Sequence, residues 1–156
     1  MKRFALIASL LLLALPAHAQ LNIRKAGEKP KEVAVLEAQW NWLYLQGDKW
    51  FLTTKTDNQF DDWIWILLGE TGESAVESVK QLLDLQEVMG DDEVFEIDDR
   101  YEKTVMVSLY KMAGKRVGFR LNADGRAGTA FITTAALKKA LQQINKEMTL
   151  EAMKQK

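Results

Sequence analysis

The residues able to do chemistry are unevenly spread along the 156-residue chain, and the tryptophans most of all. All five, Trp40, Trp42, Trp50, Trp63 and Trp65, fall within one stretch that ends at Leu68. Aromatic rings bury ~150–250 Å² each, so packing is the first role for such a cluster. Stacking against a sugar ring or a partner protein is the second. The acidic residues form two groups: Asp57, Asp61 and Asp62, then Asp91, Asp92, Glu93, Glu96, Asp98 and Asp99. Calcium takes such oxygen ligands, but the spacing does not match a calcium loop. Two carboxylates could serve as the acid and base of a glycosidase, yet nothing selects one pair. Lys111, Arg116 and Arg120 form a basic set, with Lys115 at the adjoining turn and Arg126 nearby. Their donors suit a carboxylate or phosphate. Gly125-Arg126-Ala127-Gly128 leads into a strand, whereas phosphate loops lead into a helix.

Much chemistry is excluded. There is no cysteine, and the one histidine, His18, lies in a segment that reads as a removable leader. Lys2 and Arg3, an apolar run over residues 4–15, Pro16 and Ala17-His18-Ala19 make up a secretory signal with cleavage after Ala19. The apolar run falls short of the ~20 residues of a spanning helix. No cysteine stands at the cleavage point to carry a lipid. The expected protein is exported, periplasmic or extracellular, with no membrane span once the leader is gone. Without His or Cys, the mature chain lacks Ser–His and Cys–His pairs and nearly all zinc sites. Neither metal nor cofactor is expected. Acidic residues number 22 against 21 Lys and Arg, and loss of Lys2 and Arg3 tips the balance further. Nucleic acid, whose binding rests on excess cations, is not an expected partner.

The elements that must position these residues read as follows. Residues 33–44 are rich in β-formers and lead to Gly47-Asp48, followed by a second run over 49–54. This is a hairpin with Gly first, the II′ pattern. Residues 63–68 are apolar throughout, as in a strand hidden on both faces. Ser74-Ala75-Val76-Glu77 has the capping-box spacing and opens a helix to about Val88, with Val76, Val79, Leu82 and Leu83 on one stripe. The second half repeats the order: a strand over 94–97, a strand ending at Met112, a turn at Ala113-Gly114, and strands over 116–121 and 127–133. A helix capped by Thr134 follows, with Leu137, Ala140, Leu141, Ile144 and Met148 on its stripe. Residues 149–156 are expected to fray. The predicted class is α+β: an antiparallel twisted sheet with two helices on one face, in a single domain over 20–148.

The halves, about 31–90 and 91–148, look like copies of one unit. The offset that carries Tyr44 to Tyr110 also carries Lys49 to Lys115, Trp65 to Phe131 and Ile66 to Ile132. Directly opposed residues in a hairpin share a face. Trp40, Trp42, Tyr44 and Phe51 then map onto Met106, Ser108, Tyr110, Val117 and Phe119, which together are expected to form the helix-packed core. The other face differs between copies. In the second it carries Lys111, Arg116 and Arg120, with Val105, Val107 and Leu109 further along. In the first it carries Leu43, Leu45, Trp50 and Leu52. At roughly 150 Å² each, these four would expose about 600 Å², the upper end for a monomer. The expected function is a non-enzymatic binding or protein-interaction module that uses those four residues to hold a protein partner or a second copy. Two alternatives are a small-ligand binder, such as a glycan-binding protein using its aromatic rings, and a hydrolase working with carboxylates alone.

Overall fold

The computed structural model describes residues 29–38, 40–58, 62–123 and 128–154. The leader, residues 21–25, whose weak alternation reads as a short edge strand, and Asp124-Gly125, a turn pair by sequence, lie outside the described residues. Strands β1 (Lys31–Glu37), β2 (Asn41–Gln46), β3 (Lys49–Lys55) and β4 (Trp63–Gly69) precede helix α1 (Gly72–Val88). Strands β5 (Val94–Asp98), β6 (Thr104–Met112), β7 (Lys115–Ala123) and β8 (Ala130–Thr133) precede helix α2 (Thr134–Lys154). The fold is α+β, made of two tandem units that each end in a helix. The strands form two four-stranded antiparallel sheets, ordered β1-β2-β3-β4 and β5-β6-β7-β8. An isolated bridge between Thr56 and Ala130 links them.

Turn chemistry sets the registers. At the β2–β3 hairpin Gly47 has φ 60, the sign that a II′ turn needs at its first centre. The expected pairs follow: Leu45 opposite Trp50, Leu43 opposite Leu52 and Tyr44 opposite Phe51. At the β6–β7 hairpin both centres are left-handed, Ala113 at φ 49 and Gly114 at φ 76. Lys111 pairs with Arg116, but Tyr110 pairs with Gly118, so Val117 is an extra residue. This β-bulge moves every later pair by one. Ser108 opposes Arg120 and Met106 opposes Asn122, where the same hairpin without a bulge would give Phe119 and Leu121. A Cβ on Gly118 would collide with the Ile132 carbonyl and stand 2.6 Å from Thr133 Cα. Only glycine lets β8 pair there.

Other boundaries differ locally. The run over 33–44 is broken by a turn closed by the Trp40 amide donating to the Glu37 carbonyl at 3.2 Å. The α1 cap is Thr71, one turn earlier than expected. Its Oγ1 accepts from the Ser74 amide at 3.2 Å while Ser74 Oγ accepts from the Thr71 amide at 3.1 Å. Helix α2 is capped by Thr133 Oγ1, which accepts from the Ala136 amide at 3.1 Å. Thr134 instead donates to Gln86 Oε1 at 2.8 Å. The tail expected to fray continues as helix to Lys154.

One core unites the two units. Helix α1 packs on β4, α2 on β1, and the helices pack on each other. Small residues at Ala75, Ala136 and Ala140 and larger ones at Val79, Leu137 and Ile144 are buried along these helices. They meet Leu43, Leu52, Ile64, Val105, Val107, Phe119, Leu121 and Ile132 from the sheets. Each such large side chain contributes about 1.5–3 kcal/mol through burial. The units also shield each other's edge strands. The Trp65 carbonyl on β4 accepts from the Arg100 amide at 2.8 Å. The Phe131 carbonyl on β8 accepts from Thr54 Oγ1 at 3.2 Å. Trp65 and Phe131 are the residues that the repeat offset relates, so each unit covers the same vulnerable edge of the other. Among the described residues no helix is long and apolar enough to cross a membrane.

Candidate functional site

The structure overturns the choice of faces in both units: in the second, Met106, Ser108 and Tyr110 lie on the outer side while Val105 and Val107 are buried in the core. Leu43 and Leu52 are fully buried, Trp50 is 3% exposed, and Leu45 packs partly buried against the same core. Leu43, Leu45, Trp50 and Leu52 therefore face the helices and offer no free surface. The basic set is split as well. Lys111 pairs with Asp91, and Arg116 reaches Asp91 at 3.3 Å. Arg116 also donates to the Gln86 and Glu87 carbonyls at 3.0 and 2.8 Å. It thus covers free carbonyls at the end of α1. Arg120 pairs with Ser108 and Phe131 on the outer face, because the bulge at Val117 changes its side. Lys111, Arg116 and Arg120 do not make one anion site.

The acidic residues are largely spent on local structure. Asp57 Oδ1 accepts from the Thr129 amide at 2.6 Å. Glu93 Oε2 accepts from the Gly90 amide at 2.6 Å. Asp99 Oδ1 accepts from the Tyr101 and Lys103 amides at 2.7 and 3.0 Å, shaping the β5–β6 turn. Lys111 and Arg116 hold the Asp91 carboxyl below its ordinary pKa, the Lys111 hydrogen bond foremost. Among the described residues no group of three or more His, Cys, Asp or Glu could hold a metal.

What the outer face of the first sheet does carry is a grid of rings. The β2–β3 and β3–β4 registers put Trp42, Thr53 and Trp65 in one row and Tyr44, Phe51 and Leu67 in the next. The Lys55 amide donates to the Trp40 carbonyl at 2.9 Å, which aligns Trp40, Lys55 and Trp63 as a third row. The rings close diagonally across β3: Trp42 to Trp63 at 4.7 Å between centroids, Tyr44 to Trp65 at 5.1 Å and Phe51 to Trp65 at 6.0 Å. Beneath them Thr53 is fully buried, although it points away from the helices. Trp42, Trp63 and Trp65 remain half-buried, while Trp40 and Leu67 are exposed. At the rim Tyr44 donates to Glu32 Oε2 at 3.4 Å. Burial, then the Glu32 charge, raises the Tyr44 pKa.

Two clefts flank this grid, and they correspond. The first, about 550 Å³, lies between the β2–β3 hairpin and the β5–β6 turn. Gln46, Phe51 and Leu67 face Asp98, Asp99 and Arg100 across it. The Arg100 guanidinium lies 5.1 Å from the Phe51 ring centroid and 5.2 Å from that of Trp65. The second, about 460 Å³, lies between the outer face of the second sheet and the β1–β2 turn. Tyr110, Met112 and Thr133 face Glu37, Ala38 and Trp40 there. The repeat offset carries Gln46 to Met112 and Leu67 to Thr133. It also carries the Tyr44–Trp65 ring pair to Tyr110–Phe131, whose centroids are 4.6 Å apart. Each cleft thus joins one unit's outer face to the first turn of the other.

Sequence reasoning passed over Arg100 as a turn residue. The available signal was a lone cation between Asp98-Asp99 and Tyr101-Glu102. Comparison of the chain with protein-family models, with curated proteins and with solved structures gave no match.

Proposed function

We propose that this is an exported, non-enzymatic binding protein whose ligand, an extended carbohydrate chain, lies on the aromatic outer face of the first sheet. The observation that carries the reading is the ring grid itself. Trp40, Trp42, Tyr44, Trp63 and Trp65 share one face, and both helices pack on the opposite one. Ring faces stack against the apolar faces of sugars, while the indole N–H groups and the rim residues Lys55, Tyr44 and Glu32 offer polar contacts to hydroxyls. Size supports the same choice. Three strands by five residues present roughly 14 × 17 Å, about 240 Å². A standard protein interface takes about 800 Å² from each partner. The site suits a narrow chain better than a globular partner. With neither Cys nor a mature-chain His in the sequence, and with Asp57, Asp91, Glu93 and Asp99 held in turns and pairs, binding fits better than turnover.

Titration of intrinsic tryptophan fluorescence against neutral oligosaccharides tests this reading. Trp42→Ala and Trp63→Ala should each weaken binding about 2- to 10-fold, the value of one ring contact. A flat titration across the panel, or unchanged affinity in both variants while they stay folded, would refute it. Export is tested separately by the mass of the protein recovered from the cell envelope or medium. The expected amino terminus is Gln20, and recovery of the intact chain from the cytoplasm alone refutes it.

A further inference from the structure

Arg100 is better equipped than packing requires. Its amide is anchored to the Trp65 carbonyl at 2.8 Å, and its guanidinium is half-buried against Phe51 and Trp65. Contact with two ring systems holds the guanidinium in place, and its N–H groups can still donate to a ligand. Among the described residues no carboxylate lies within ion-pair distance of it. Asp99, next in the chain, has turned its carboxylate to the Tyr101 and Lys103 amides. The corresponding cleft of the second unit supplies an internal comparison. There the opposite turn contributes Glu37, Ala38 and Trp40, a carboxylate held by Thr133 and Asn41 but no cation. The fold closes that cleft without a cation, so the charge in the first one is not a packing requirement. Lys49 lines the same cleft, paired at 2.8 Å with the exposed Glu70.

We propose that the Arg100 cleft is a carboxylate-binding subsite at the end of the ring grid, so that the sugar chain held there is an acidic one bearing a uronate-type carboxyl group. The subsite rests on the grid being the carbohydrate platform. A planar carboxylate meets the guanidinium edge through two parallel N–H bonds, while the exposed Leu67 flanks the sugar ring. Lys49 adds a second positive charge. Asp98, exposed in the same cleft, opposes the ligand and tempers its affinity.

The test compares trigalacturonate with its fully methyl-esterified, neutral form by calorimetry on the intact protein. The acid should bind roughly 10- to 100-fold more tightly than the ester, the value of a charge-assisted bond. Arg100→Gln should abolish that difference and leave the ester's affinity within about twofold. Arg100→Lys should restore only part of it, because the point charge lacks the fork. Asp98→Asn should tighten the acid alone. Equal binding of acid and ester to the wild type, or a preference that survives Arg100→Gln, overturns the subsite and leaves the platform standing. Binding of neither probe, with neutral oligosaccharides also silent, overturns both. Should Arg100→Gln fail to fold, the wild-type contrast and its loss with added salt still decide the matter.

Discussion

Leu67 and Leu68 are neighbours of one type on one strand, and the structure assigns them opposite fates. Leu68 is 3% exposed in the core, while Leu67 is 43% exposed beside Phe51 and Arg100. Truncating each to Ala changes strand propensity by the same amount, so the difference between the variants isolates burial. At Leu68 the cost is the lost transfer energy plus the cavity left beneath the helices, about 2–4 kcal/mol in total. At Leu67 roughly half the side chain already meets water and solvent fills the gap, so the cost is about 1 kcal/mol or less. For a domain of this size the first cost lowers Tm by roughly 8–15 °C and the second by a few degrees. Urea unfolding followed by circular dichroism measures both, with an unchanged slope confirming that the unfolded state is the same. The ligand-binding effect should run the other way. Leu67→Ala should weaken a ligand in the Arg100 cleft, while Leu68→Ala should bind normally below its own midpoint. Equal stability losses, or a larger loss at Leu67, would refute the assignment of faces and with it the ring grid as a surface.

Three further outcomes follow from local geometry. Ala113, at φ 49, pays the left-handed strain of a residue with a Cβ; Ala113→Gly should raise stability by about 0.5–1 kcal/mol in thermal unfolding. Thr71→Ala removes the side chain that accepts from the Ser74 amide and should cost about 1 kcal/mol, read from the same melts. The Asp91 carboxyl has its pKa lowered by Lys111 and Arg116; its contribution is present above the ordinary carboxylate range and is lost as pH falls through the lowered value. Asp91→Asn should therefore melt below the wild type at neutral pH, converge with it in acid, and show a smaller gap in high salt, because the pair is exposed.

The order of elements was legible in the sequence because turn residues and hydrophobic period mark it locally. Gly47-Asp48, Ala113-Gly114 and the apolar stripe ending at Ile144 needed no tertiary information. The side that each strand turns to the helices was not legible, for two physical reasons. In β2, β3 and β4 both faces are apolar, so alternation cannot tell inside from outside. The face that maps between the copies, Trp40, Trp42, Tyr44 and Phe51 in the first, reads as inward because it is mainly apolar in both. Yet indole N–H groups need partners, and the rings bury one another across Thr53 without a helix. Leucine and isoleucine, with no polar atom, fit under the alanine-lined helices. In β7 the fault was one extra residue. Val117 reads as an ordinary strand position, and nothing local announces that Gly118 must face Tyr110 so that β8 can approach.

The second unit also shows which features of the first are dispensable to the fold. Its outer face has Ser108, Arg120 and Phe131 in the row that corresponds to Trp42, Thr53 and Trp65. A sheet of the same topology, packed on the same helices, thus stands with a serine where the first unit has Trp42. Exposed rings add a liability to association that a purely structural sheet avoids, as Ser108, Arg120 and Asn122 illustrate. The ring pair present in both units, Tyr44–Trp65 and Tyr110–Phe131, is the part that packing explains. Trp40, Trp42, Trp63 and the charge on Arg100 are what that comparison leaves over. The three rings lie on one side of the first sheet, and the β5–β6 turn brings Arg100 against Phe51 and Trp65 on that same side.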